Sequence, residues 1–111
     1  YKPSEMAALM RQMLSDNKAI RNQVLSNKAL GNFNSNHLNI HTARLTDTTQ
    51  NDVTFSTYAS YFIAMEKELY NVDSSRQIEQ FNKVVDACIA CHKDRCTGPI
   101  PIIRTLKISA N

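Results

Sequence analysis

Glycine and proline are scarce in this chain, with 2 and 3 among 111 residues, and tryptophan is absent. A glycine-rich phosphate cradle or dinucleotide fingerprint needs several glycines in one loop, so nucleotide chemistry of that kind is excluded. Collagen-like and low-complexity architectures fall for the same reason. No apolar run approaches the roughly 18 residues that a membrane span requires, so no bilayer crossing is expected. Charge of one sign is lacking too: 13 basic against 10 acidic residues leave a formal +3, too mild for a nucleic-acid binder. No Ser-His-Asp set or carboxylate pair stands out, which argues against a hydrolase.

What remains is 42% hydrophobic and 21% charged residues, the balance of one soluble globular domain spanning 1–111. The chain begins at Tyr1 rather than Met, which reads as a processed chain whose compartment follows from its chemistry. From Ser4 to about Leu30, Met6, Leu9, Met10, Met13, Leu14, Ile20, Val24 and Leu25 recur at helical spacing. Pro3 and Ser4 open this helix, and Gly31 is placed to end it in a left-handed turn. A weaker stripe, Leu38, His41, Leu45 and Thr48, predicts a short second helix, with a turn-rich Thr46–Asp52 segment after it. Phe55, Tyr58, Ala59, Phe62, Met65, Glu66 and Leu69 mark a third helix capped by Asp52 or Thr54. Ile78, Phe81, Val84, Val85, Cys88 and Cys91 mark a fourth, capped around Asp73–Ser75 and stopped by Gly98-Pro99. Phe55, Tyr58, Tyr61, Phe62, Tyr70 and Phe81 are expected to form core and cofactor wall rather than a separate site. The fold class expected is all-α, an antiparallel four-helix bundle over 1–97. The period of two in Ile100, Ile102, Leu106 and Ile108 predicts an extended apolar tail over 98–111, covered by its own bundle or by another subunit.

Near the end of the fourth helix stand Cys88, Ile89, Ala90, Cys91 and His92, the C-x-x-C-H signature of covalent c-type haem attachment. Positions three apart share a helix face, so both thiols reach the vinyl groups of one porphyrin while the His92 imidazole ligates its iron. One haem c per chain is the cofactor expected. A structural zinc on Cys88, Cys91, His92 and Cys96 is crowded along a single helix and lacks the usual second ligand pair. An iron–sulfur cluster normally needs four cysteine thiolates and this chain has three; a thioredoxin-like pair would sit near a strand-helix-strand pattern. His37 and His41, four apart on a polar segment, are expected to face solvent rather than hold a metal or serve a peroxidase.

A four-helix bundle of this length with its C-x-x-C-H motif on the last helix resembles the cytochrome c-prime family over residues 1 to about 96. The resemblance implies haem thioethers at Cys88 and Cys91, a proximal His92, and first-helix side chains from Met6, Leu9, Met10 and Met13 lining the other haem face. It makes Met6 and Met10 distal-pocket candidates, or a sixth ligand as in a related b-type bundle. Beyond His92 the Cys-His-x-x-x-Cys-x-Gly-Pro-Ile string is similar to the small paired c-type cytochromes of anaerobic ammonium-oxidising bacteria. That second likeness implies a heterodimer of two bundle subunits and a His/Cys axial pair.

Two thioethers leave Cys96 as an odd thiol in a chain whose haem implies a compartment outside the cytoplasm, the bacterial periplasm or an equivalent such as the anammoxosome. Cys96 lies one helical turn beyond His92, so four arrangements are open: a sharp turn of the chain, ligation of a partner's haem, an intermolecular disulfide, or an inert buried thiol. A bound thiolate would favour ferric iron and lower the reduction potential. The stretch from Lys93 to Lys107 holds Lys93, Arg95, Arg104 and Lys107 against Asp94 alone, the entire net charge of +3. This collar could steer a redox partner, or it is simply a solvated helix end. The function expected is non-enzymatic one-electron transfer within a dimer; the alternative is a cytochrome binding NO or CO.

Overall fold

The computed structural model describes residues 4–45 and 47–109. The expected contributions of Pro3 and Thr46, and the last two residues of the expected tail, lie outside the described residues. Those described form helices, turns and irregular links with no strand, so the chain is all-α.

Helix α1 runs Glu5–Leu25. Ser4 caps it, its Oγ accepting from the Ala7 N–H at 3.1 Å, and Glu5 places a negative charge at the positive end of the helix dipole. Met6, Met13, Ile20 and Val24 form its buried stripe, and the buried Asn17 falls between them. The helix stops earlier than its apolar pattern suggests. Asn27, not Gly31, takes the left-handed conformation just past its end, with φ 58°, a geometry that Asn tolerates better than most residues. Leu25 is left exposed. Gly31 is also left-handed, but in the loop beyond.

Ser35–His41 forms a 3-10 helix, short as expected but in a different phase. His37 and Ile40 point inward, while Leu38 and His41 are exposed. The expectation that His37 faces solvent is therefore overturned; two carboxylates from other helices supply the partners that its burial requires.

Helix α2, Val53–Leu69, starts at Asp52, whose Oδ1 accepts from the Phe55 N–H at 2.9 Å. Helix α3, Gln77–Arg95, follows a 3-10 turn at Ser74–Arg76. The two pack antiparallel. Arg95 at the end of α3 lies over the Phe55 ring at the start of α2, and Gln80 near the start of α3 donates to the Met65 carbonyl at 3.0 Å. Phe62 and Leu69 from α2 and Phe81, Val84 and Val85 from α3 are the centre of the core.

The segment after Gly98-Pro99 is not an extended tail. Ile100–Arg104 forms helix α4. Proline is compatible with a first helical turn, where its missing N–H is not needed; the buried residues of the segment are Ile103, Leu106 and Ile108, with Ile102 exposed, so the period of two holds only from Leu106 to Ile108. The segment docks on its own chain. Asn82 holds both backbone groups of Ile108, donating from Nδ2 to the carbonyl and accepting the N–H on Oδ1, each at 2.8 Å. Arg21 Nε donates to the Leu106 carbonyl at 3.0 Å.

Candidate haem site

The expected site residues lie on α1, α3 and the turn after α3, and they meet around one cleft of about 690 Å³. Met6, Met10, Met13 and Leu14 line it from α1. Cys88, Cys91 and His92 line it from α3, and Cys96, Ile102 and Ile103 close it from the turn and α4. Its lining is mostly apolar, the character of a cofactor site in which a few placed polar groups set orientation. Met6 is buried and Met10 half-buried. The sequence did not reveal that α4 forms part of this wall, because the period-two pattern suggested a strand.

His92 is placed by the helix end itself. Its Nδ1 donates to the Cys96 carbonyl at 2.7 Å, and a carbonyl only accepts, so Nδ1 carries the proton. In the neutral ring the Nε2 lone pair is then free for a metal, with the tautomer fixed by the partner of the other nitrogen. The same carbonyl is available because α3 ends there: Cys96 is the C-cap, with φ −155° and ψ 81°, and its N–H reaches back to the His92 carbonyl. The helix ends at Cys96 and its thiol is exposed, which removes the inert buried thiol from the arrangements open to it.

Burial pushes the Cys88 thiol up to about 12, with the charges of Glu66 and Cys91 adding to the effect. Cys91 is also raised by burial, against the lowering influence of Arg95. Both therefore stay as thiols at neutral pH, which suits thioether formation and does not suit a reactive disulfide pair, whose attacking sulfur is a thiolate. No group of three or more His, Cys, Asp or Glu among the described residues is arranged to hold a bare metal ion, so the zinc alternative finds no preformed geometry. The donor set fits a haem: two thiols on an apolar cleft, one imidazole with its lone pair free, and an apolar α1 face.

The basic collar is partly neutralised. Arg95 pairs with Asp94 at 3.0 Å and Asp52 at 3.2 Å, and donates to the Gln50 carbonyl at 2.6 Å. Lys107 pairs with Asp86 at 2.6 Å, while Lys93 and Arg104 are exposed. These contacts make Arg95 a clamp between the end of α3 and the start of α2 rather than a free docking charge.

Sequence reasoning missed one polar centre. His37, fully buried, lies between Glu66 of α2 and Asp16 of α1. Glu66 on an otherwise apolar stripe was the available signal, since a buried carboxylate calls for a partner. No helix among the described residues is long and apolar enough to cross a membrane. Comparison with protein-family models, curated proteins and solved structures finds no match to this chain.

Proposed function

We propose that this chain is a small c-type cytochrome of the four-helix-bundle kind, carrying one covalent haem on Cys88 and Cys91 with His92 as axial ligand. The observation that carries this reading is the convergence of those three residues, with Met6 and Met10, on one apolar cleft. When bound, the haem supplies a one-electron couple. The chain's own residues do the rest: the cysteine thiols tether it, and the hydrogen bond from His92 Nδ1 to the Cys96 carbonyl holds the imidazole in the ligating tautomer. The methionine and leucine side chains of α1 keep water away from the cleft. The function is electron transfer rather than catalysis, with the chain acting as one subunit of a heterodimer or homodimer outside the cytoplasm and passing electrons to a redox partner protein.

The exposed thiol of Cys96 is the second axial ligand of this reading, within the chain or on a partner's haem. An anionic sulfur donor would hold the potential low. The apolar α1 wall favours a second reading, a cytochrome that binds NO or CO there. Visible spectra of the matured protein, oxidised and reduced, with and without CO, separate the two. A six-coordinate spectrum that changes in Cys96→Ser, with slow CO binding that depends on reduction, supports thiolate ligation and electron transfer. A five-coordinate spectrum with rapid CO binding, unchanged by Cys96→Ser, overturns it in favour of gas binding.

A further inference from the structure

Behind the cleft, two carboxylates from two helices converge on the imidazole of a third segment. His37 is fully buried; its Nδ1 lies 2.5 Å from Glu66 Oε1 and its Nε2 lies 2.9 Å from Asp16 Oδ2. With both carboxylates ionised, each can only accept hydrogen bonds, so both ring nitrogens donate and His37 is an imidazolium between them. One positive and two negative charges leave the cluster with an excess negative charge in the interior.

Glu66 is the buried end of the cluster: its side chain is fully buried and its Oε2 has no hydrogen-bond partner among the described residues, a costly state for a charged group. Asp16 is the outlet to water, with its side chain 21% exposed; Gln12 donates to its Oδ1 and Asn34 to its Oδ2. The other groups facing the cluster are Tyr70, at the end of α2, and Cys88, from α3. Burial, together with the charges of Glu66 and Asp16, pushes Tyr70 up to about 12. Asn17, next to Asp16 on α1, lines the cleft, as does Cys88, which feels the Glu66 charge, whereas Glu66 does not line it. The carboxylate therefore acts on the cleft from behind its wall, through an interior that screens charge weakly.

We propose that Asp16, His37 and Glu66 form a redox-linked proton-exchange site, in which His37 holds a proton when the cleft centre is reduced and releases it to water through Asp16 when that centre is oxidised. The inference rests on the haem reading above. The proton leaves from Nε2, the nitrogen that faces Asp16 Oδ2, breaking an N–H bond and forming an O–H bond, and passes from the carboxyl group to water. Nδ1 keeps its proton throughout, donating it to Glu66 Oε1. The accompanying electron leaves to a one-electron acceptor, the redox partner, and both flows reverse on reduction. The two carboxylates raise the His37 pKa above its ordinary 6.5, against the lowering effect of burial, which puts the coupling on the neutral-to-alkaline side.

The test is the midpoint potential as a function of pH, with an NMR titration of the His37 ring in each redox state. Expected is a fall of up to tenfold in the reduction equilibrium per pH unit, about 59 mV per unit for one electron, over an interval above pH 6.5 and flat on either side. The His37 pKa should be higher in the reduced protein. Glu66→Gln should move the interval towards acid, and Asp16→Asn, a milder change near the surface, should do so with the fold intact. A haem-bearing protein with a pH-independent potential and one His37 pKa in both states overturns this inference alone. A matured protein without haem overturns the haem reading and this inference with it.

Discussion

Removing the Asn82 side chain amide tests how the α4 segment is held. Asn82 makes two hydrogen bonds of 2.8 Å to the backbone of Ile108, and Ile108 is only 5% exposed. Each such bond contributes about 1 kcal/mol net, and a buried backbone group left without a partner costs about 1–3 kcal/mol. Some of this is recovered as water enters a loosened segment, so Asn82→Ala should destabilise the protein by about 2–3 kcal/mol. At roughly 4–8 °C per kcal/mol for a domain of about this size, the melting temperature should fall by roughly 8–24 °C. Thermal unfolding followed by far-UV circular dichroism reads this directly. Asn82→Asp keeps the acceptor for the Ile108 N–H and loses the donor, and should fall between the two. Asp86→Ala removes only the exposed ion pair with Lys107 and should cost no more than about 1 kcal/mol. Equal melting temperatures for wild type and Asn82→Ala would refute the idea that this residue anchors the segment, and with it the claim that α4 is a fixed wall of the cleft.

Two further outcomes follow from the same physical terms. Asp52→Ala removes the cap of α2 and one partner of Arg95 and should lower the midpoint of chemical denaturation; a midpoint equal to wild type would contradict the capping role. The His37 pKa is raised in the folded protein by Glu66 and Asp16 in spite of burial, so its stabilising contribution is fully present below pH 6.5 and disappears as pH rises through the folded value. Melting temperature should thus fall on the alkaline side more steeply in wild type than in Glu66→Gln, and parallel curves would contradict it.

Local signals were legible in the sequence. Ser4 and Asp52 cap α1 and α2 as their side-chain chemistry predicts, because a cap is decided within a few residues. The C-x-x-C-H spacing likewise placed Cys88, Cys91 and His92 on one helix end. Non-local partners were not legible. His37 sits in a run of polar residues, and only folding brings it to Asp16 and Glu66. The end of α1 was misjudged because Asn27 adopts the left-handed turn that glycine more commonly takes. The period of two after Pro99 concealed a short helix, and the residues after it, Leu106 and Ile108, are held by Arg21 and Asn82, both distant in sequence.

The most direct test of the central claim is the intact mass of the matured protein after denaturation and acidic organic extraction, which strips any haem not covalently held. The account predicts a species heavier than the bare 12.6 kDa chain by one haem, reduced to the bare mass in the Cys88→Ala, Cys91→Ala double variant. A wild-type protein matured in a cell competent for haem attachment that still runs at the bare mass would contradict it.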